Sequence, residues 1–126
     1  MGKVYVELAN VDNTTKGTFE LKPVDTRFYE DEAVLILKVA ELTETGGADA
    51  ITLDVKVQSY FPKVDEWRDT VIYNQLSVTG DTKSDVQLKV MTIGLGQKQR
   101  VVYTLAGNGT VGANKFKVLA EYKNKK

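Results

Sequence analysis

The sequence contains no cysteine and no histidine. Without cysteine, the chain cannot form a disulfide framework or supply a thiolate nucleophile or a zinc-finger ligand set. Without histidine, it lacks the general base of a Ser-His-Asp triad and the commonest ligand of zinc and haem. These two absences exclude many metal and nucleophilic sites, and we predict that the protein holds neither a metal nor another cofactor.

Long hydrophobic runs and an excess of charge are also missing. The longest apolar run, residues 33–37, is far shorter than the ~20 residues of a membrane-spanning helix. The first residues reach charged positions before any apolar run develops, so we expect no secretory signal and synthesis in the cytosol. Seventeen Lys and Arg balance seventeen Asp and Glu. A nucleic-acid binder usually carries a basic excess, so we predict neither a nucleic-acid nor a membrane partner.

The charges are nevertheless divided unevenly along the chain. Residues 1–66 carry thirteen acidic and seven basic side chains, a net of −6, and residues 67–126 carry four acidic and ten basic ones, a net of +6. If strands from the two halves interleave in one fold, these fields largely cancel, and we favour this arrangement. The alternative is an acidic face and a basic face on one molecule, which would suit head-to-tail or ring association.

Alternation of apolar and polar residues is the dominant pattern. Valine occurs 17 times and threonine 13, against eight alanines, which favours strands over helices. The alternating segments are separated by glycine-, asparagine- and proline-containing breaks. We predict that the apolar members of each segment face a core; these segments are residues 4–8, 19–21, 51–59, 86–90, 101–105 and 116–122. The sequence therefore predicts one all-β domain over residues 1–126, a single antiparallel β-sandwich of jelly-roll type. Residues 1–25 form either an N-terminal arm or edge strands.

One strand is apolar on both faces. Residues 34–37 read Val-Leu-Ile-Leu, so a second apolar face remains after one has entered the core. We favour cover by loops of the same chain, and the alternative is cover by another chain. For that alternative, we predict interface contacts at Tyr5, Phe28, Tyr29, Val34 and Ile36.

An aromatic cluster surrounds a short proline-containing turn. Tyr60 and Phe61 precede Pro62, and the single tryptophan, Trp67, follows it. We interpret the cluster as a cross-strand aromatic pair that closes a hairpin. The alternative is a platform of Tyr60, Phe61 and Trp67 on which sugar rings stack, as in carbohydrate-binding β-sandwich modules.

Two further motifs have structural interpretations. Residues 107–112 match G-x-G-x-x-G, but the residues that follow alternate like a strand rather than a helix. We interpret them as a hairpin turn in which the glycines and Asn108 take positive φ angles. Residues 30–32, Glu-Asp-Glu, lack the spaced oxygens of a calcium loop, and we interpret them as a solvated turn. No carboxylate pair has a spacing that points to catalysis, and we predict no enzymatic activity.

Residues 26–122 resemble small structural proteins of tailed bacteriophages. The matching positions are Val57-Gln58, Pro62 and Trp67 in a V-Q-x-x-x-P-x-x-x-x-W hairpin, and Arg100-Val101 and Tyr103-Thr104 in a late R-V-x-Y-T strand. The resemblance implies a β-sandwich or jelly roll that decorates or stabilises a capsid without catalysis. It also implies location in the virion, contact with the major capsid protein or other virion proteins, and a homo-oligomer, with a trimer favoured. A place in the head or in the tail remains open.

Overall fold

The computed structural model describes residues 2–91 and 95–125. These residues contain ten strands and no helix that is long and apolar enough to cross a membrane. The strands are β1 (Lys3–Asp12), β2 (Gly17–Glu20), β3 (Val24–Asp25), β4 (Tyr29–Glu44), β5 (Ile51–Phe61), β6 (Glu66–Ile72), β7 (Leu76–Val78), β8 (Thr82–Met91), β9 (Lys98–Ala106) and β10 (Val111–Asn124).

The strands form two antiparallel sheets. Sheet A has four strands in the order β1-β10-β4-β8. Sheet B has the order β2-β9-β5-β6, with β3 also paired to β9 and β7 also paired to β5. The prediction of an all-β antiparallel sandwich is confirmed. Most of the N-terminal 25 residues belong to β1, β2 and β3, and β1 and β2 lie at the edges of their sheets.

The core lies between the two sheets. In β4, Leu35, Leu37 and Val39 are almost completely buried, and Leu53 and Val57 of β5 face them from sheet B. The period-two pattern produces this arrangement, because alternate side chains of a strand point to opposite faces. Burying each such side chain contributes about 1.5–3 kcal/mol, so the facing stripes hold the two sheets together.

A buried hydrogen-bonded chain also joins the sheets. The Tyr122 hydroxyl of β10 donates to the Gln99 Oε1 of β9 at 2.6 Å, and the Gln99 Nε2 donates to the Ser59 Oγ of β5 at 3.1 Å. All three residues are fully buried. Because unpaired buried polar groups are costly, this chain favours one relative position of the two sheets.

Strands from the acidic and basic halves of the sequence interleave. Sheet A combines β1 and β4 from the first half with β8 and β10 from the second. Ion pairs join the halves, among them Lys3–Glu121 at 2.9 Å, Glu20–Arg100 at 2.8 Å and Glu32–Lys123 at 2.6 Å. The predicted turn at residues 30–32 is wrong, because these residues lie within β4, where Tyr29–Glu44 pairs with β10.

The face assignment of β8 is also wrong. Val86, Leu88 and Val90, predicted to enter the core, are 63%, 57% and 64% exposed. The intervening Gln87 and Lys89 point inward and are half-buried. The apolar face of β8 therefore points to solvent. Alternation alone does not fix which face of a strand enters the core, because a register change of one residue exchanges the two faces.

The G-x-G-x-x-G segment is a turn between sheets rather than a hairpin. It follows β9 of sheet B and leads into β10 of sheet A, so the two strands do not pair with each other. Gly107 has a φ of +100°, whereas Asn108 does not take a positive φ. A Cβ at Gly107 would collide with the carbonyl oxygen of Ala50. Glycine is needed at this position because the backbones of the two loops touch.

Candidate interaction surface

An apolar patch covers part of the outer face of sheet A. We call it the outer stripe, and it consists of Val34, Ile36, Val86, Leu88, Val90 and Leu119. The register places Val34 beside Val90, and Ile36 between Leu88 and Leu119, so the six side chains are neighbours on one face. Exposed apolar side chains that cluster in this way are typical of contact surfaces.

Polar residues border the outer stripe. Lys38 lies beside Val86 at one end, and Glu121 lies beside Val34 at the other. Lys117 pairs with Lys38 across the neighbouring strand. An apolar centre with a charged rim is the usual composition of a protein–protein interface.

Gln87 holds β8 in the orientation that exposes the outer stripe. Its Oε1 accepts a hydrogen bond from the Asn74 backbone N–H at 2.7 Å, and its Nε2 donates to the Asn74 carbonyl at 3.0 Å. Its Nε2 also lies 3.1 Å from a carboxylate oxygen of Asp85. The Gln87 amide thus pairs with a backbone group near the edge of sheet B. This link accounts for a polar residue on the inner face of β8.

Three of the five predicted interface residues lie on the outer face of sheet A. Val34 and Ile36 belong to the outer stripe, and the exposed Tyr5 lies on the same face beyond Glu121. Their contact with another chain remains a prediction.

The other two predicted residues lie elsewhere. The ring of Tyr29 stacks on that of Tyr122 at the rim of the core, with centroids 4.6 Å apart. Phe28 is exposed, with the Arg27 guanidinium 5.8 Å from its ring centroid. Sequence reasoning missed Val86, Leu88, Val90 and Leu119. Their alternation was visible in the sequence, but no local signal showed which face would be outside.

The predicted aromatic platform lies on the outer face of sheet B. Tyr60 and Trp67 are directly opposite each other in the β5–β6 hairpin, with ring centroids 5.4 Å apart. The Arg100 guanidinium lies 4.1 Å from the Trp67 ring centroid, and the Lys98 ammonium lies 5.3 Å from that of Tyr60. The geometry is that of a cross-strand pair with cations over the rings. Phe61 ends β5 and is half-buried. Sugar binding by this cluster remains a prediction.

Glu44 is a buried carboxylate that the sequence did not single out. It accepts backbone N–H bonds from Gly46 at 2.6 Å, Gly47 and Thr110 at 2.7 Å, and Gly80 at 2.8 Å. These hydrogen bonds, above all those from Gly47 and Thr110, lower the pKa of Glu44 to about 2. The carboxylate is therefore ionised at neutral pH and already engaged by four donors. It ties three loops together and is poorly suited to proton transfer.

No group of three or more acidic, histidine or cysteine side chains that could hold a metal ion occurs among residues 2–91 and 95–125. Glu30, Asp31 and Glu32 do not form such a group. Glu32 instead pairs with Lys123.

Comparison with known proteins relates the chain to virus structures by fold. It superimposes on a chain in the structure of the infectious bursal disease virus Gx strain with a TM-score of 0.56 and 9% identity. For the Gt strain of the same virus, the TM-score is 0.53 and the identity 10%. Each match covers 98% of this chain and 33% of the other, so this chain spans a third of the length of those chains. At this identity, the likeness shows the fold alone.

No protein-family model and no curated protein sequence matches the chain.

Proposed function

We propose that this chain is a non-enzymatic virion protein that binds other virion proteins through the outer stripe and thereby decorates or stabilises a capsid. The observation that carries the proposal is the outward orientation of the apolar face of β8. Val86, Leu88 and Val90 remain mostly exposed in the isolated chain, although burying such side chains is favourable. A partner that covers them would gain this free energy.

The connectivity of the strands supports the proposal. If β2 is counted with β3 and β6 with β7, each sheet has four strands. Numbering the resulting eight strands 1 to 8 along the chain gives the order 1-8-3-6 for sheet A and 2-7-4-5 for sheet B. We interpret this alternation between two sheets as a jelly roll, an architecture that occurs in viral capsid domains. The likeness to chains of infectious bursal disease virus structures is consistent with this interpretation.

The resemblance to tailed-phage structural proteins supplies the finer part of the proposal. It implies the major capsid protein or other virion proteins as partners and a homo-oligomer, with a trimer favoured. Location in the virion follows from the same proposal. Light scattering after size exclusion measures the oligomeric mass directly.

The test is binding to shells that lack this protein, made from the major capsid protein of the virus that encodes it. We expect the purified chain to sediment with such shells and to saturate them at a fixed ratio. The variants Leu88→Lys and Val90→Lys should abolish this binding while they lower the melting temperature by no more than about a few degrees, because both side chains are mostly exposed.

Ile72→Lys is the matched control. Ile72 is 63% exposed like the residues of the outer stripe, but it lies in β6 of sheet B. It should bind shells as the wild type does. Absence of wild-type binding, or equal binding by Leu88→Lys and wild type, would contradict the proposal.

A further inference from the structure

β8 is an edge strand with no described strand on its outer side. Among the described strands, it ends the order of sheet A and pairs with β4 alone. β8 (Thr82–Met91) is ten residues long. A long exposed edge presents unpaired backbone N–H and C=O groups, which form a template for another strand.

The inner face of β8 has a charge pattern that is complementary to itself. Asp85, Gln87 and Lys89 alternate along this face, with one acidic and one basic side chain at equal distances from the central glutamine. If two copies of β8 pair antiparallel about Gln87, Asp85 of each copy lies opposite Lys89 of the other. Opposite charges at directly opposed positions stabilise a strand pair. Lys89 is half-buried and has no ion-pair partner among the residues that the structure describes.

Other registers lose this complementarity. A centre at Lys89 places the Lys89 side chains of the two copies opposite each other. A centre at Asp85 likewise places the two Asp85 carboxylates opposite each other. A centre at Val86 sets Lys83 against Lys89, and a centre at Leu88 sets Lys89 against Gln87. Among these five registers, only the centre at Gln87 gives two Asp–Lys pairs within β8 and no like-charged pair; the centre at Asp85 also sets Asp81 against Lys89, but it opposes the two Asp85 carboxylates. On the outer face, it places Val86 opposite Leu88 of the second copy.

We propose that two copies of this chain associate through β8 about a two-fold axis at Gln87. Sheet A then continues across the pair as eight strands, four from each copy. The contact is isologous, as expected for a symmetric dimer. This inference rests on the proposed function, since the pair places two outer stripes side by side as one larger apolar surface for a shell.

Charge reversal tests the pairing. Asp85→Lys places two lysines opposite each other, and Lys89→Asp does the same with two aspartates. We expect each single variant to raise the dimer dissociation constant by about tenfold or more, measured by sedimentation equilibrium. The double variant restores opposite charges in the same register, and its dissociation constant should return to near the wild-type value. A monomeric wild type, or a double variant as weak as the singles, overturns the inference.

Cysteine cross-linking tests the register at exposed positions that leave Gln87 untouched. The chain has no native cysteine, so introduced ones are the only thiols. Val86→Cys mixed with Leu88→Cys should form a disulfide-linked dimer, because directly opposed Cα atoms are about 4.5–5.5 Å apart. Either variant alone should cross-link poorly, because its copies are diagonal at about 7–8 Å. Strong cross-linking of Leu88→Cys alone would refute the register.

The two proposals fail separately. A protein that dimerises through β8 but does not sediment with shells contradicts the proposed function and leaves the pairing in place. A protein that sediments with shells but is unaffected by charge reversal contradicts the pairing alone.

Discussion

Leu88 and Leu37 provide a direct test of the face assignment in sheet A. They lie on adjacent strands, since Leu88 pairs with Ile36 and Leu37 pairs with Gln87. Leu88 is 57% exposed and Leu37 is 1% exposed. Full burial of a leucine side chain contributes about 1.5–3 kcal/mol, and about two-fifths of Leu88 is removed from water, so Leu88→Ala should cost about 0.6–1.3 kcal/mol. Leu37→Ala leaves a cavity in the core and should cost about 2–5 kcal/mol.

The assay is equilibrium unfolding in urea, with the free energy of unfolding extrapolated to water. Each variant is measured at two protein concentrations, because self-association makes apparent stability depend on concentration. If Leu88→Ala costs as much as Leu37→Ala, the apolar face of β8 points inward. The outer stripe, and the proposed function that depends on it, would then be wrong.

Three further predictions concern other parts of the molecule. The Glu44 contribution to stability is fully present above the pKa of this carboxyl in the unfolded chain and is lost as pH falls through its folded pKa of about 2. Glu44→Gln should therefore lower the melting temperature at neutral pH and flatten the fall of the melting temperature between those two pKa values, whereas Glu7→Gln, at an exposed position, should leave the melting temperature at neutral pH nearly unchanged. Gly107→Ala forces a Cβ against the Ala50 carbonyl at a φ of +100° and should cost about 1–3 kcal/mol in urea unfolding, while Gly2→Ala should change stability by less than about 0.5 kcal/mol. Titration with polysaccharides should leave Trp67 fluorescence unchanged, because Arg100 already lies over its ring; a saturable change would favour the sugar-binding alternative.

The hairpin at residues 60–67 shows what local sequence can predict. A proline-containing turn between two alternating segments indicates a hairpin, and the register does place Tyr60 opposite Trp67. The cations over the two rings come from Lys98 and Arg100 of β9. Their position depends on which strand lies beside β5, and this information is not local.

The G-x-G-x-x-G segment and Glu44 show where local reasoning fails. Glycines predict a sharp turn, but such a turn can join two paired strands or two strands of different sheets. Only the tertiary structure shows that β9 and β10 belong to different sheets. Glu44 reads as an ordinary strand residue. Its environment comes from Gly80 and Thr110, which are far from it in sequence.

The alternation of side chains determined the strands and the antiparallel sandwich, and the absence of cysteine and histidine excluded the chemistry of those residues. Both follow from the sequence alone, because strand periodicity and residue type are local properties. Only the tertiary structure decided which face of β8 is outside, since Val86, Leu88 and Val90 have the same pattern as core strands. The physical reason is that burial of one face depends on what packs against it. In β8, the hydrogen bonds between Gln87 and Asn74 favour a polar inner face and leave the apolar residues outside.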